Sequence, residues 1–147
     1  MHLTLHTDYA LRLLMYLALR PGRRCTIEEV AGAYGISRNH LMKVALTLAR
    51  EGFVDSLRGR SGGLRLAMAP QQIRLGAVVR RTEDSFDLVE CFDAASNTCV
   101  IAPGCRLKQP LAAAAQAFLG VLDGYTLADL TAPPATARTL GRLLGTA

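Results

Sequence analysis

Between Thr26 and Leu66 the chain is punctuated at intervals that leave room only for short, tightly turned elements. Thr26 followed by Glu29 is a capping-box pattern, in which the hydroxyl and the carboxylate each satisfy an N–H group left unpaired at a helix start. The helix this opens, Ile27 to Tyr34, stops at Gly35. Ser37 then caps a third helix running to about Arg50 and ended by Gly52, with Leu41, Val44, Ala45 and Leu48 on its buried stripe. A helix, a tight glycine turn and a second helix make up a helix-turn-helix.

Upstream, Thr7 is placed to cap a first helix beginning near Asp8. Tyr9, Leu13, Leu14, Leu17 and Ala18 recur at helical spacing until Pro21-Gly22 ends it. Downstream, Phe53 to Leu57 and Leu64 to Ala67 read as two short strands around Arg58-Gly59-Arg60-Ser61-Gly62-Gly63. Glycines permit a tight hairpin here. A β-hairpin after a helix-turn-helix is the wing of a winged helix, and cations at its tip suit a minor groove or phosphates.

The residues that would touch DNA follow from this layout. At the start of the third helix, Ser37, Arg38, Asn39, His40 and Lys43 face outward and include types that read base edges or contact phosphate in a major groove. In the wing the corresponding residues are Arg58, Arg60, Ser61, Gly62 and Gly63. Charge agrees with this placement. Residues 1–70 hold ten Lys/Arg against five Asp/Glu, whereas residues 71–147 hold seven of each, so the whole net charge of +5 lies in the first half. A basic half points to a polyanionic partner, here double-stranded operator DNA.

Residues Ile73 to Glu83 read as a connecting helix with Ile73, Ala77 and Val78 inward and Arg80-Arg81 near its end, where cations suit the helix dipole. Past Pro110, the residues Leu111, Ala115, Phe118, Leu122 and Tyr125 form a stripe of period near 3.6 beside a run of alanines, ended by Gly124. We read this as a long dimerisation helix of a homodimer. Thr126 to Asp129 caps a last short helix, and the small-residue-rich end from Thr131 to Ala147 reads as a peripheral tail. The expected fold is mainly α with a small β-wing. A winged helix-turn-helix domain spans residues 1–70, the connecting helix, cysteine loop and dimerisation helix span 71–130, and the tail spans 131–147.

Between the connecting and dimerisation helices, Cys91, Cys99 and Cys105 fall within fifteen residues, separated by seven and then five positions. The longest apolar run, Leu13 to Leu19, is far below the roughly 18 residues of a membrane span, and no signal-peptide pattern is present. The expected location is therefore the cytoplasm, where clustered thiols bind metal or sense redox state more often than they form structural disulfides. Three chemistries remain open. Structural zinc sites favour cysteine pairs two to four residues apart, which this segment lacks. A thiol-disulfide switch needs two of the three thiols. Iron-sulfur clusters take thiolates on irregular loops at variable spacing, so three cysteines suit a cluster with a fourth ligand from elsewhere. Cys105, following Pro103-Gly104, is expected where the next helix starts, a position that favours a thiolate. Spacing leaves the fourth ligand open among Cys25, His2, His6, His40, Glu90 and Asp93.

The stretches Thr7-Asp8-Tyr9-Ala10-Leu11-Arg12, Tyr34-Gly35-Ile36-Ser37-Arg38-Asn39-His40, Gly62-Gly63-Leu64-Arg65-Leu66, Cys105-Arg106-Leu107-Lys108-Gln109 and Tyr125-Thr126-Leu127-Ala128-Asp129-Leu130 resemble the NsrR family of nitric-oxide-sensing iron-sulfur repressors. The likeness covers about residues 1–130. It implies a homodimeric winged-helix repressor whose signal is nitric oxide. It further implies an iron-sulfur cluster, 4Fe-4S with 2Fe-2S as the smaller alternative, held by Cys91, Cys99 and Cys105. The family pattern adds an oxygen ligand from the first helix of the opposite subunit, a position matched here by Asp8. The gap of seven between Cys91 and Cys99 is longer than the family's. In the related regulator IscR a histidine three residues after the last cysteine is a ligand, and Lys108 stands there in this chain. The alternative is an IscR-like sensor of iron, oxygen or redox state. No phosphate-cradling glycine loop, nucleophile elbow or paired zinc motif points to an enzyme.

Overall fold

The computed structural model describes every residue except Met1, Arg58, Arg60, Ser61, Thr146 and Ala147. Helix α1 spans Leu5–Ala18, α2 Ile27–Tyr34 and α3 Arg38–Arg50. Strands β1 (Val54–Leu57) and β2 (Gly63–Leu66) follow, and then α4 (Leu75–Thr82), α5 (Lys108–Asp123), α6 (Leu127–Thr131) and α7 (Pro134–Leu143). The expected mainly helical architecture with a two-stranded wing is the one observed.

Local signals place α2 and α3 where the sequence puts them. Thr26 and Glu29 form the reciprocal capping box, and Gly35 closes α2 in the left-handed conformation at φ 64°, which a residue with a Cβ adopts only at a cost. Helix α1 departs from expectation. It starts three residues earlier, capped by Thr4, whose hydroxyl accepts from the Thr7 N–H, while Thr7 is fully buried in the first turn. The choice between two threonines is made by Glu83, at the end of α4, whose Oε1 accepts from both the Thr4 N–H at 2.7 Å and the Thr4 hydroxyl at 3.1 Å.

Leu13 and Leu14 of α1, Val30 of α2, and Leu41, Val44 and Leu48 of α3 meet in one core with Val54 and Leu64 of the wing. Burying each such side chain contributes about 1.5–3 kcal/mol relative to exposure. That core continues past residue 70, since Ile73, Val78 and Leu127 belong to it with no exposure. The main chain joins them as well. The Leu127 N–H donates to the Ile73 carbonyl at 2.9 Å, and the Leu75 N–H donates to the Tyr125 carbonyl at 3.0 Å.

Two further boundaries differ from the sequence reading. The connecting helix begins at Leu75 rather than Ile73, because residues 73 and 74 are extended and pair with the chain around Thr126. The C-terminal segment, read as a peripheral tail, contains a helix. This is α7, with Pro134 at its first position, where the missing N–H costs nothing, and Leu144 beyond it packs against the core.

Tyr34 closes the face between α1 and α2 by donating its hydroxyl to the Arg12 carbonyl at 3.1 Å. Burial pushes its phenol up to about 12. The folded chain holds this proton to higher pH than the unfolded chain, whose phenol titrates near 10. The stabilisation is therefore complete below about pH 10 and is lost as pH rises through 12. Denaturant unfolding at pH 9 and pH 11.5 should show a larger loss in the wild type than in Tyr34→Phe, and parallel losses would count against this assignment.

Candidate functional site

The turn between α2 and α3 sets out the candidate recognition surface. Ile36 is buried and anchors the turn, and Ser37 occupies the cap position of α3. Its hydroxyl makes no capping hydrogen bond, contrary to the sequence expectation. Ser37, Arg38, Asn39, His40 and Lys43 are all exposed, as predicted from the stripe that buries Leu41, Val44, Ala45 and Leu48 on the opposite side. Arg38 holds Glu28 at 2.7 Å with both side chains mostly exposed, a pair worth only about 0.2–1 kcal/mol and readily exchanged for a phosphate. The His40 ring lies 6.1 Å from that of Tyr9 on α1.

Beside this surface β1 and β2 pair antiparallel, Val54 opposite Leu66 through Leu57 opposite Gly63. Arg65 donates to Asp55 across the pair at 3.0 and 3.1 Å. The wing is fastened to the chain just ahead of the α2 cap: Cys25 and Leu64 exchange two backbone hydrogen bonds of 2.8 Å. Gly63 is part of β2 rather than of the tip. At φ 143° it brings the main chain so close that a Cβ would lie 3.0 Å from the Cys25 carbonyl oxygen. Gly62 precedes it, its N–H donating to the Gly59 carbonyl at 2.9 Å. Arg58, Arg60 and Ser61 lie outside the described residues.

The second candidate region is the segment joining α4 to α5, residues 83–107, whose only helical turn is a 3-10 turn at Glu90–Phe92 carrying Cys91. Local bonds shape the rest. Asp93 accepts from the Ala95 N–H at 2.9 Å and from the Ser96 hydroxyl at 2.7 Å, and these bonds hold its carboxyl below the usual range, the serine contributing most. The Cys99 N–H donates to Asn97 Oδ1 at 3.1 Å, and the Cys99 carbonyl accepts from Ala102. Helix α5 begins at Lys108, so Cys105 stands three residues before it rather than at its start. Pro110 falls in the first turn, where its ring is tolerated.

All four cysteines are free, but they divide in two. Cys25 is fully buried in the core, and burial pushes its thiol up. It is a packing residue. Cys91, Cys99 and Cys105 are half-buried on the loop. In donor type and accessibility these three thiols fit the thiolate set of an iron-sulfur cluster. Among the described residues, however, no three His, Cys, Asp or Glu side chains converge within one chain as a metal site. Asp8 is on α1, apart from the loop, and both its carboxylate oxygens are held by Arg12, at 3.0 Å from Nε and 2.8 Å from Nη2. Of the other fourth-ligand candidates, His2 is exposed, His6 is half-buried on α1, and Glu90 accepts from the Thr98 hydroxyl at 3.4 Å.

Helix α5 itself buries no residue within the chain. The stripe Leu111, Ala115, Phe118 and Leu122 is only half-covered, and Tyr125 lies beyond the helix end. What holds α5 to α4 was not legible in the sequence. Asp123 receives Arg80 through two bonds of 2.5 and 2.7 Å, over Gly76, where a Cβ would collide with Asp123 Oδ1. The partners are 43 residues apart, and no spacing pattern announces them.

No helix among the described residues is long and apolar enough to cross a membrane. Comparison with known proteins places this architecture. The Rrf2 family, described as an iron-dependent transcriptional regulator, matches residues 3–133. The HTH-type transcriptional regulator NsrR of Bacillus subtilis is 55% identical over 131 residues, 88% of this chain and 90% of the relative. NsrR of Geobacillus kaustophilus is 49% identical over 141 residues, 95% and 96% of the two chains. Among solved structures, CymR, the global cysteine regulator of B. subtilis, superposes with a TM-score of 0.69 at 25% identity, covering 88% of this chain and 95% of CymR. IscR of T. potens does so with a TM-score of 0.67 at 25% identity, covering 88% and 85%. These relatives are named as regulators and none as an enzyme. With a winged helix-turn-helix fold and this likeness along nearly its whole length, the chain belongs to the Rrf2 family of transcriptional regulators.

Proposed function

We propose that this chain is a cytoplasmic, homodimeric repressor that binds double-stranded operator DNA and releases it in response to nitric oxide. The signal is received at an iron-sulfur cluster, 4Fe-4S, held by Cys91, Cys99 and Cys105 of one subunit and the partner subunit's Asp8. One observation carries the reading: three free, half-buried thiols sit on the loop at the base of α5, a 16-residue helix that buries nothing within its own chain. The likeness to the two NsrR relatives supports it.

The exposed start of α3, from Ser37 to Lys43, enters the major groove, and the arginines of the wing tip, Arg58 and Arg60, hold the adjacent backbone or minor groove. Two recognition helices of a dimer must meet half-sites about one DNA turn, roughly 34 Å, apart, so any change in how the subunits sit against each other is felt as a loss of fit. Asp8 is the residue through which the loop of one subunit holds α1 of the other. Each Asp8 oxygen takes one contact from Arg12 and keeps a second lone pair for a ligand bond, and the half-exposed i, i+4 pair itself is worth only about 0.3–0.5 kcal/mol. When bound, the cluster supplies iron sites at which nitric oxide competes with the protein's ligands, and a carboxylate oxygen is a harder and weaker partner there than a thiolate. Loss of the Asp8 link frees α1, and with it α3, from the opposite loop. A coupling of about 3 kcal/mol lowers operator affinity roughly a hundredfold, within the ordinary range of allosteric control.

The test is the visible spectrum of the anaerobic protein, with iron and sulfide counts and operator affinity, before and after nitric oxide. Absorbance that bleaches together with operator release is the expected result. Release by oxygen or by an iron chelator with no response to nitric oxide would move the reading to the iron or redox sensor. A colourless protein after reconstitution would remove the cluster.

A further inference from the structure

At the foot of the wing, away from its tip, the turn after α1 and the chain leaving β2 line an open cleft of about 430 Å³, a size that suits a small molecule. Its floor is apolar. Leu17 is 3% exposed, and Leu66 and Met68 pack against the core. Its polar lining is dominated by Arg20, Arg23 and Arg65, with Asp55 the one acid among the described residues that line it. Among the described residues, none of those assigned above to DNA or to the cluster takes part.

The three arginines are not equivalent. Arg65 is held by Asp55 at 3.0 Å and Arg23 by Glu29, and both arginine side chains are more than half exposed. Arg20 is only 12% exposed. Its guanidinium lies 4.8 Å from the centre of the Tyr16 ring, and its Nη2 donates to the Gly145 carbonyl at 3.0 Å. The carboxylate it approaches, Glu29, stands 4.0 Å from Nη1 and already accepts from Arg23 and from the Thr26 N–H. Arg20 Nε is buried with no acceptor among the described residues. Three guanidinium groups therefore share two carboxylates, and the positive charge left over falls on the most buried of the three. A buried cation without a carboxylate of its own is unfavourable, and a guanidinium fork receives one readily.

We infer that this cleft binds a small organic monocarboxylate, its head on the arginine rim at Arg20 and its apolar body on Leu17, Leu66 and Met68. The single negative charge follows from the single positive charge left uncompensated. The apolar floor selects an acid with a hydrocarbon body over an inorganic anion, since burying that body removes apolar surface from water on both sides. The site uses neither the cluster nor the dimer, so it stands apart from both readings above.

The test titrates the full-length, nitrogen-15-labelled chain with sodium hexanoate, sodium acetate and hexanamide at constant ionic strength and follows the backbone amide signals. Hexanoate should shift residues 17–23 and 65–69 saturably and bind at least about tenfold more tightly than acetate, since each buried methylene is worth about fourfold. Hexanamide has the same body and no charge, and should bind at least about tenfold more weakly than hexanoate. Ala67→Glu, at an exposed position on the cleft wall two residues after Arg65, keeps every arginine and adds a competing carboxylate. It should weaken hexanoate binding at least about tenfold. Arg20→Gln should abolish the shifts, and if that variant fails to fold, Ala67→Glu decides alone. No saturable shift with hexanoate, equal affinity for the three compounds, shifts confined to other residues, or indifference to Ala67→Glu would each overturn the site.

Discussion

Cys91→Ala, Cys99→Ala and Cys105→Ala are each expected to empty the cluster site and to lower operator affinity about a hundredfold, the full extent of the proposed coupling. The fold itself should hardly change. Each of these cysteines is half-buried on a loop outside the core, so truncation leaves no cavity, and surface changes of this kind shift stability by less than about 0.5 kcal/mol. Cys25→Ala supplies the opposite pattern. Cys25 is fully buried, and its loss should lower stability by about 1 kcal/mol through the small void it leaves while iron content stays at the wild-type level. Iron and sulfide assays, operator affinity and thermal melts on the four variants separate the two classes. Full cluster occupancy in any one of the three loop variants would strike that residue from the ligand set.

Leu127→Ala is expected to have the largest effect on stability of any single truncation beyond residue 70. Leu127 has no exposed surface, shares the core with α1, α3 and Ile73, and its N–H is tied to the Ile73 carbonyl. Truncating a fully buried leucine costs about 2–5 kcal/mol. At roughly 2–4 °C per kcal/mol for a chain of this size, the melting temperature should fall by about 4–20 °C, and operator binding should weaken as α1 loosens. The same truncation at Val121, on the uncovered side of α5, should move the monomer's unfolding by less than about 0.5 kcal/mol. If Leu127→Ala melts like Val121→Ala, then α6 is not part of the winged-helix core and the packing described above is wrong.

Legibility followed the range of the interactions involved. The Thr26–Glu29 box, the Gly35 turn, the buried stripe of α3 and the placement of Pro110 in the first turn of α5 are settled within a few residues, and each was readable from the residues alone. The separation of Cys25 from the other cysteines was partly readable, from its place among helices. Its burial depends on Leu64, 39 residues away, exchanging backbone bonds with it. The missed helix α7 is instructive in another way: Pro134 at its first position was a start signal, but the alanines and threonines around it resemble a tail as closely as a helix.

Sequence by itself determined the helix-turn-helix, the hairpin, the exposed face of α3 and the three-cysteine loop, because backbone capping, positive-φ glycines and side-chain periodicity act locally. Tertiary structure alone decided that α1 is capped by Thr4 rather than Thr7, since Glu83, 79 residues away, accepts from both the N–H and the hydroxyl of Thr4. It likewise decided that α5 is pinned to α4 through Arg80 and Asp123 over Gly76, and that Leu127 completes a core begun by α1. At the cap two chemically equivalent threonines were available, and in all three cases the deciding partner is brought close only by the folded chain.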